Sequence, residues 1–247
     1  MRDYDESTYG DGFADVYDEW YSNLTDTEAT VARLVAFAGD GPVLELGVGT
    51  GRVAIAFARA TPAQVVGIDA SEAMLARLAA KPGGDLVTTI VGDMTGRALP
   101  AGPFSLVYVT YNTFFGLLTE TAQLECFSAV ASRLGTGGRF VIEAFVPDDP
   151  PRRGSTVELR SMTAGVVVLS VSVSDPFEQC AEGHFIELAD GAPVRLRPWS
   201  IRYSTPAQLD AMADAAGLSL ESRCAGWHDE HFDESSSHHV SIYARRS

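Results

Sequence analysis

The stretch Val43-Leu44-Glu45-Leu46-Gly47-Val48-Gly49-Thr50-Gly51 constrains this chain more than any other. A short apolar β-type run ends in a turn with glycine at alternate positions, and Arg52-Val53-Ala54-Ile55 restarts as a helix. Glycine is required where a chain turns tightly and leaves bare backbone open to a ligand. Strand, glycine turn and helix in that order open an α/β unit, whose strands run parallel because a helix carries the chain back across the sheet.

The rest of the sequence repeats that alternation. Apolar runs at Pro42 to Leu46, Gln64 to Ile68, Leu86 to Val91, Phe104 to Val109 and Arg139 to Phe145 predict five central strands. Helical spacing near Gly51 to Ala60, Ser71 to Ala80 and Thr119 to Leu134 fills the gaps, with Gly135 expected as the C′ stop of the last. Pro147, Pro150 and Pro151 break the pattern, and Val166 to Val173, Gly183 to Leu188 and Val194 to Tyr203 read as an antiparallel insertion spanning 148–203. Thr205-Pro206 caps a further helix that stops at Gly217. Leu218 to Cys224 and His239 to Arg245 are the final strands, separated by a polar, His-rich loop. The expected architecture is one domain over 1–247 with a doubly wound sheet.

Charge narrows the function. A formal net charge of -15 leaves no basic stripe to grip a phosphate backbone, which argues against nucleic-acid partners. No apolar run reaches membrane-spanning length and the first residues carry no export signal, so a cytoplasmic location is expected. Cys126, Cys180 and Cys224 are too scattered for a disulfide framework or a metal clip, and no metal is expected.

The dinucleotide fingerprint sets its third glycine or alanine one place later than this loop does, where Arg52 stands. With no convincing Tyr-x-x-x-Lys pair either, a nicotinamide dehydrogenase is disfavoured. The spacing Glu45-x-Gly47-x-Gly49-x-Gly51 instead resembles motif I of class I S-adenosylmethionine-dependent methyltransferases, and the resemblance runs from Tyr9 to the C-terminus. Tyr9-Gly10-Asp11-Gly12-Phe13-Ala14-Asp15-Val16-Tyr17-Asp18 resembles the Tyr-Asp segment that closes over the cofactor in small-molecule members, so residues 1–30 are read as a covering segment. Ser105 stands where the family usually has Asp. The resemblance implies a Rossmann-like seven-stranded sheet in the order 3-2-1-4-5-7-6 with the insertion after strand 5.

It also implies S-adenosylmethionine as cofactor. Asp69 would accept the ribose hydroxyls, with Ala70 and Met74 beside it, while Gly92-Asp93-Met94 would meet the adenine. Glu45, Gly47, Gly49, Gly51, Arg52, Tyr17, Tyr111 and Asn112 complete the cofactor set. Aromatic faces attract an alkylated cation, and Tyr9, Phe114, Phe115, Phe145, Trp199 and Tyr203 are read as acceptor-binding. Methyl transfer is a direct displacement that needs alignment and exclusion of water more than a covalent nucleophile. Where a base is used, His228, His231 and Glu143 are its candidates. The nearest resemblances are amino-sugar N-methyltransferases and α-N-methyltransferases of peptide natural products. The acceptor is therefore a small molecule or a peptide, N- and O-methylation stay open, and so do a homodimer and a binding module without catalysis.

Overall fold

The computed structural model describes residues 1–22, 26–148 and 153–246; Pro150 and Pro151, and residues 23–25 of the expected covering segment, lie outside them. The central sheet takes β1 (Val43–Leu46), β2 (Val65–Asp69), β3 (Val87–Val91), β4 (Phe104–Val109), β5 (Leu134–Phe145), β10 (Leu218–Cys224) and β11 (His238–Arg245). Their order is β3-β2-β1-β4-β5-β11-β10. The pairs among β1 to β5 are parallel, and β11 runs antiparallel to both neighbours, so β10 regains the common direction. The expected order is thus observed.

Helices cover both faces because the strands are apolar on both. One layer holds α6 (Glu120–Arg133) and α7 (Pro206–Ala215), packed by Phe114, Phe127, Phe140 and Tyr243. The other holds α3 (Thr27–Phe37), α4 (Arg52–Ala60) and α5 (Glu72–Ala79), packed by Leu34, Phe57, Leu75 and Trp227. Four of the five starts carry a side-chain cap: Asp26, Ser71 and Thr119 accept from the third residue on, and Thr205 with Gln208 forms a full capping box before Pro206. Ser105 does its own structural work, donating to the carbonyls of Gly41 at 3.0 Å and Pro42 at 3.2 Å and so tying β4 to β1.

Two local expectations change. Gly135 follows the C-cap Leu134 at C′ but makes no left-handed stop: Leu134 turns extended (φ -70°, ψ 134°) and pairs with Phe104, so β5 starts directly off the helix, five residues before Arg139. The insertion has four strands, β6 (Gly154–Met162), β7 (Val166–Asp175), β8 (Cys180–Ala189) and β9 (Arg195–Arg202), in a separate antiparallel sheet. Strand β6 was missed because it carries only Val157, Leu159 and Met162 as large apolar residues, and its pairing with β7 makes it a strand. The N-terminal α1 (Thr8–Phe13) and α2 (Tyr17–Trp20) lie between the two sheets, where Phe13 and Trp20 pack on Phe185 of β8. No helix among the described residues is long and apolar enough to cross a membrane.

Candidate active site

The carboxyl ends of the parallel strands open into a cavity of about 350 Å³, where ligands of open α/β sheets are expected. Its floor is the glycine turn. Gly47 and Gly49 have φ of 65° and 53°, and a Cβ on Gly47 would stand 2.2 Å from Thr113 Cγ2. A Cβ on Gly49 would meet nothing within 4 Å, so that backbone faces open space. Asp69, at the end of β2, holds the turn: its Oδ2 accepts from Gly49 N at 2.8 Å and its Oδ1 from Ser71 N at 2.9 Å. Burial raises the Asp69 pKa, against the lowering effect of those two N–H donors. Next along the wall come Ala70, Met74 and Gly92-Asp93-Met94. Asp93 Oδ1 accepts from Thr95 N at 2.6 Å, which fixes the turn after β3.

Tyr111 and Asn112, after β4, both take left-handed backbone (φ 53° and 64°), which costs a non-glycine residue roughly 1 to 2 kcal/mol. Their neighbours hold them there. Glu143 Oε2 accepts from Tyr111 N at 2.8 Å, its backbone carbonyl accepts from Asn112 N at 3.1 Å, and Asn112 Oδ1 accepts from Phe145 N at 2.7 Å. The other Glu143 oxygen accepts from Trp227 Nε1 at 2.9 Å. Glu143 is therefore occupied at both oxygens and positions the turn; it is not on the cavity wall.

The N-terminal segment forms the roof. Tyr9, Tyr17 and Tyr21 line the cavity with Tyr111, and Tyr9 Oη donates to Tyr21 Oη at 3.2 Å. Burial pushes the Tyr9 and Tyr17 phenols up, so both remain neutral. The acids of the same segment are latches. Asp11 accepts from Ser71 Oγ at 2.6 Å, and Asp18 accepts from Thr50 Oγ1 at 2.6 Å and pairs with Lys81 at 2.7 Å. Asp15 meets Arg197 of β9 at 2.6 Å; that guanidinium is 1% exposed and also bonds Glu187 at 2.9 Å. One short segment thus ties the glycine turn to the insertion, whose Phe185, Trp199 and Ile201 close the far end.

Several residues read from the sequence sit elsewhere. Glu45 is buried beneath the turn, where Tyr108 Oη donates to it at 2.9 Å and burial pushes its carboxyl up to about 8. Gly51 is needed for helix packing, since a Cβ there would lie 2.6 Å from Leu78 Cγ. Arg52 is behind the wall, its guanidinium 5.9 Å from the Tyr111 ring centroid. Phe114 and Phe115 are fully buried core, packed on Phe127 and Phe145, because the turn at Asn112 sends the chain inward. Tyr203 packs behind Phe145. His228 is exposed beside Asp26 at 3.2 Å, on the α3 side, and His231 is exposed where it bridges Cys224; neither reaches the cavity, because their loop folds back along β10. Gly47, Gly49, Asp69, Ala70, Met74, Gly92, Asp93, Met94, Tyr111, Asn112, Tyr9, Tyr17, Phe145 and Trp199 do converge there. The sequence reading missed Tyr4, Tyr21, Phe185 and Ile201. Tyr21 had a signal, the four-residue spacing of Tyr9, Phe13, Tyr17 and Tyr21 that stacks aromatic rings on one side.

Known proteins share this fold. The methyltransferase domain family matches residues 43–138. The CcbJ methyltransferase from Streptomyces caelestis superposes with a TM-score of 0.90 at 39% identity, covering 98% of this chain and 100% of that one. The chain belongs to the class I S-adenosylmethionine-dependent methyltransferases. An uncharacterized methyltransferase from Anoxybacillus flavithermus is 33% identical over 140 residues, 57% of this chain and 61% of that protein. The amino pentose methyltransferase CalS10 from Micromonospora echinaspora, at 23% identity and a TM-score of 0.71 over 94% of this chain and 97% of that one, shares the fold.

The cavity fits the family's cofactor. Open backbone at Gly49, a carboxylate at the end of β2 and five phenol rings suit a molecule that carries a diol, an amine and a sulfonium but no phosphate. In this methyltransferase, Glu143→Gln is expected to lower kcat/KM about 10-fold, roughly 1.4 kcal/mol, since glutamine cannot accept from both Tyr111 N and Trp227 Nε1. The acidic limb of the pH–rate profile should keep its shape. A vanished limb would make Glu143 the proton acceptor instead.

Proposed function

We propose that the enzyme methylates an amine nitrogen of a small natural-product acceptor. The observation that carries this reading is the chemistry of the cavity lining: the rings of Tyr4, Phe185 and Trp199 stand with the acidic residues Asp5 and Glu6, and among the described residues no Lys, Arg or His lines the cavity. Rings and carboxylates attract an alkylammonium and repel an anion. In this reading Gly47, Gly49, Asp69, Ala70, Met74, Gly92, Asp93, Met94, Tyr17, Tyr111 and Asn112 hold the cofactor, and Tyr9, Phe145 and Trp199 hold the acceptor.

Bound S-adenosylmethionine supplies an electrophilic methyl group and leaves as a neutral thioether. The protein aligns the acceptor nitrogen and keeps water away, which accounts for much of the rate of such a displacement. Asp5 accepts hydrogen bonds from Thr8 and Ser7, which lower its pKa, so it stays charged and serves to orient an ammonium. Neutral phenols at Tyr9 and Tyr17 contribute no base near neutral pH. The nitrogen must therefore arrive with its lone pair free, and kcat/KM should rise with pH until the acceptor's own pKa is passed.

Transfer of labelled methyl groups to a panel of secondary amines, alcohols and amino-terminal peptides tests the proposal. Amines should be turned over; label appearing only on alcohols would overturn the amine reading, and no turnover with cofactor still bound would favour a binding module. Trp199→Ala should raise the acceptor's KM about 10-fold or more, the scale of one lost aromatic wall, and leave cofactor affinity within about twofold. Equal losses for both ligands would place Trp199 over the cofactor.

A further inference from the structure

Two residues of the insertion sheet are poor choices for stability, and they face each other. Gly183 stands within β8, is buried and takes no left-handed φ, so no turn calls for it. Glycine weakens a strand interior and marks a place where something approaches the backbone closely. Here the approach comes from two sides. A Cβ on Gly183 would stand 2.8 Å from Cζ2 and 2.9 Å from Cε2 of Trp199, its partner on β9, and 2.1 Å from the carbonyl oxygen of Val171 on β7. Trp199 in turn has its Nε1 enclosed without a hydrogen-bond partner among the described residues, a cost that a phenylalanine would avoid. Its indole lies over the bare backbone of Gly183 and lines the cavity with Phe185 and Ile201.

We infer that Gly183 is a specificity-determining residue of the methyl transfer. It seats the Trp199 indole against β8, and the depth of that seat sets how long an apolar chain the acceptor can carry beside its reacting atom. This rests on the reading that Trp199 holds the acceptor. Carbon atoms at ordinary contact lie about 3.5 to 4.0 Å apart, so a methyl group at position 183 would need the ring to move by roughly 1 Å. The β8 backbone closes one side of the ring, and the displacement is therefore outward, into the cavity. That cavity of about 350 Å³ is near the lower end of the range for small-molecule sites, so the longest acceptors feel an advancing wall first. The two unfavourable choices then have one result: bare backbone lets a large ring recline, and the large ring makes a flat wall.

Labelled-methyl transfer to two matched series tests the proposal, N-methylpropylamine to N-methyloctylamine and propanol to octanol, read as the ratio of kcat/KM for the longest chain that reacts to that for the shortest. Gly183→Ala should lower this ratio about 10-fold or more, the scale of a methylene in an apolar pocket. Trp199→Leu, whose side chain ends before the atoms that meet position 183, should raise it about 10-fold. The double variant should match Trp199→Leu within about threefold, because the added methyl no longer meets a ring. Affinity for S-adenosylmethionine within about twofold of wild type shows that each variant is folded. In protein labelled with 5-fluorotryptophan, the fluorine resonance that Trp199→Leu removes should shift in Gly183→Ala. A double variant as selective against long chains as Gly183→Ala overturns the proposal, since the Val171 carbonyl and not the indole would then carry the effect. So does an unmoved resonance, and so does an unchanged ratio in Trp199→Leu, which needs no alanine at 183. Ratios that change as stated on the alkanols while no amine reacts remove the amine reading and leave this one standing.

Discussion

Glu45→Gln is expected to stabilise the ligand-free protein at alkaline pH and to flatten its stability between pH 5 and 8. Glu45 is fully buried under the glycine turn, and burial pushes its carboxyl up to about 8. In the unfolded chain it titrates near the ordinary value, so from about pH 4.5 upward the unfolded state loses a proton that the folded state keeps. Stability then falls as pH rises, until the folded carboxyl also ionises near pH 8. The integrated cost is on the order of 4 kcal/mol, equivalent to roughly 10 °C in melting temperature for a chain of this size. Glutamine keeps a hydrogen bond with Tyr108 and removes the titration. His239 gives the opposite limb: it is buried at 0% exposure, its Nδ1 is 2.8 Å from Ser241 Oγ, and its pKa is lowered to about 3. Below the unfolded value near 6.5 the unfolded chain takes up a proton the folded state refuses, so stability falls as pH drops from there toward 3. Melting curves of wild type, Glu45→Gln and His239→Asn from pH 4 to 9 separate the limbs. An alkaline slope that survives in Glu45→Gln would assign it to other groups.

Asp69→Ala is expected to weaken binding of S-adenosylmethionine about 10- to 100-fold, or about 1.5 to 3 kcal/mol of charge-assisted hydrogen bonding. The structure gives this residue two tasks. Its oxygens accept from Gly49 N and Ser71 N, which sets the glycine turn and the start of α5, and its remaining lone pairs face the cavity where a ribose diol would lie. Alanine removes both effects. Titration calorimetry with wild-type affinity in the variant would place the ribose elsewhere. NAD should leave the melting temperature unchanged where S-adenosylmethionine raises it by several degrees, since only a ligand of the folded state stabilises it.

How much of the site was legible follows from how local each signal is. The glycine turn, Asp69 and Gly92-Asp93-Met94 are short motifs at strand ends, where two or three residues of backbone decide the geometry, and all of them reach the cavity except Gly51. Tyr111 and Asn112 were found for the same reason. Phe114 and Phe115 follow them at once in sequence, yet the left-handed turn at Asn112 rotates both into the core. The histidines failed on a longer scale. Their loop does leave β10 at the catalytic edge, as the topology requires, but which way it then folds depends on the docking of Trp227 into the α3 layer and of His228 beside Asp26. Glu143 looked like a base because it stands at the end of β5, and its two hydrogen-bonded donors make it a support.

The sequence by itself determined the parallel strands, the glycine turn and the helix starts, because these rest on residue spacing and on caps whose partners are three or four residues away; the strand order came with the family resemblance. Only the tertiary structure decided that the acids of the Tyr-Asp segment are latches, that Arg197 is a buried clasp between roof and insertion, and that Val157 and Val171 fall side by side on one face of the insertion sheet. Each of these pairs residues far apart in the chain, Asp15 with Arg197 or Val157 with Val171. The energy of such a contact depends on burial and on the angle between elements, and no local pattern records either.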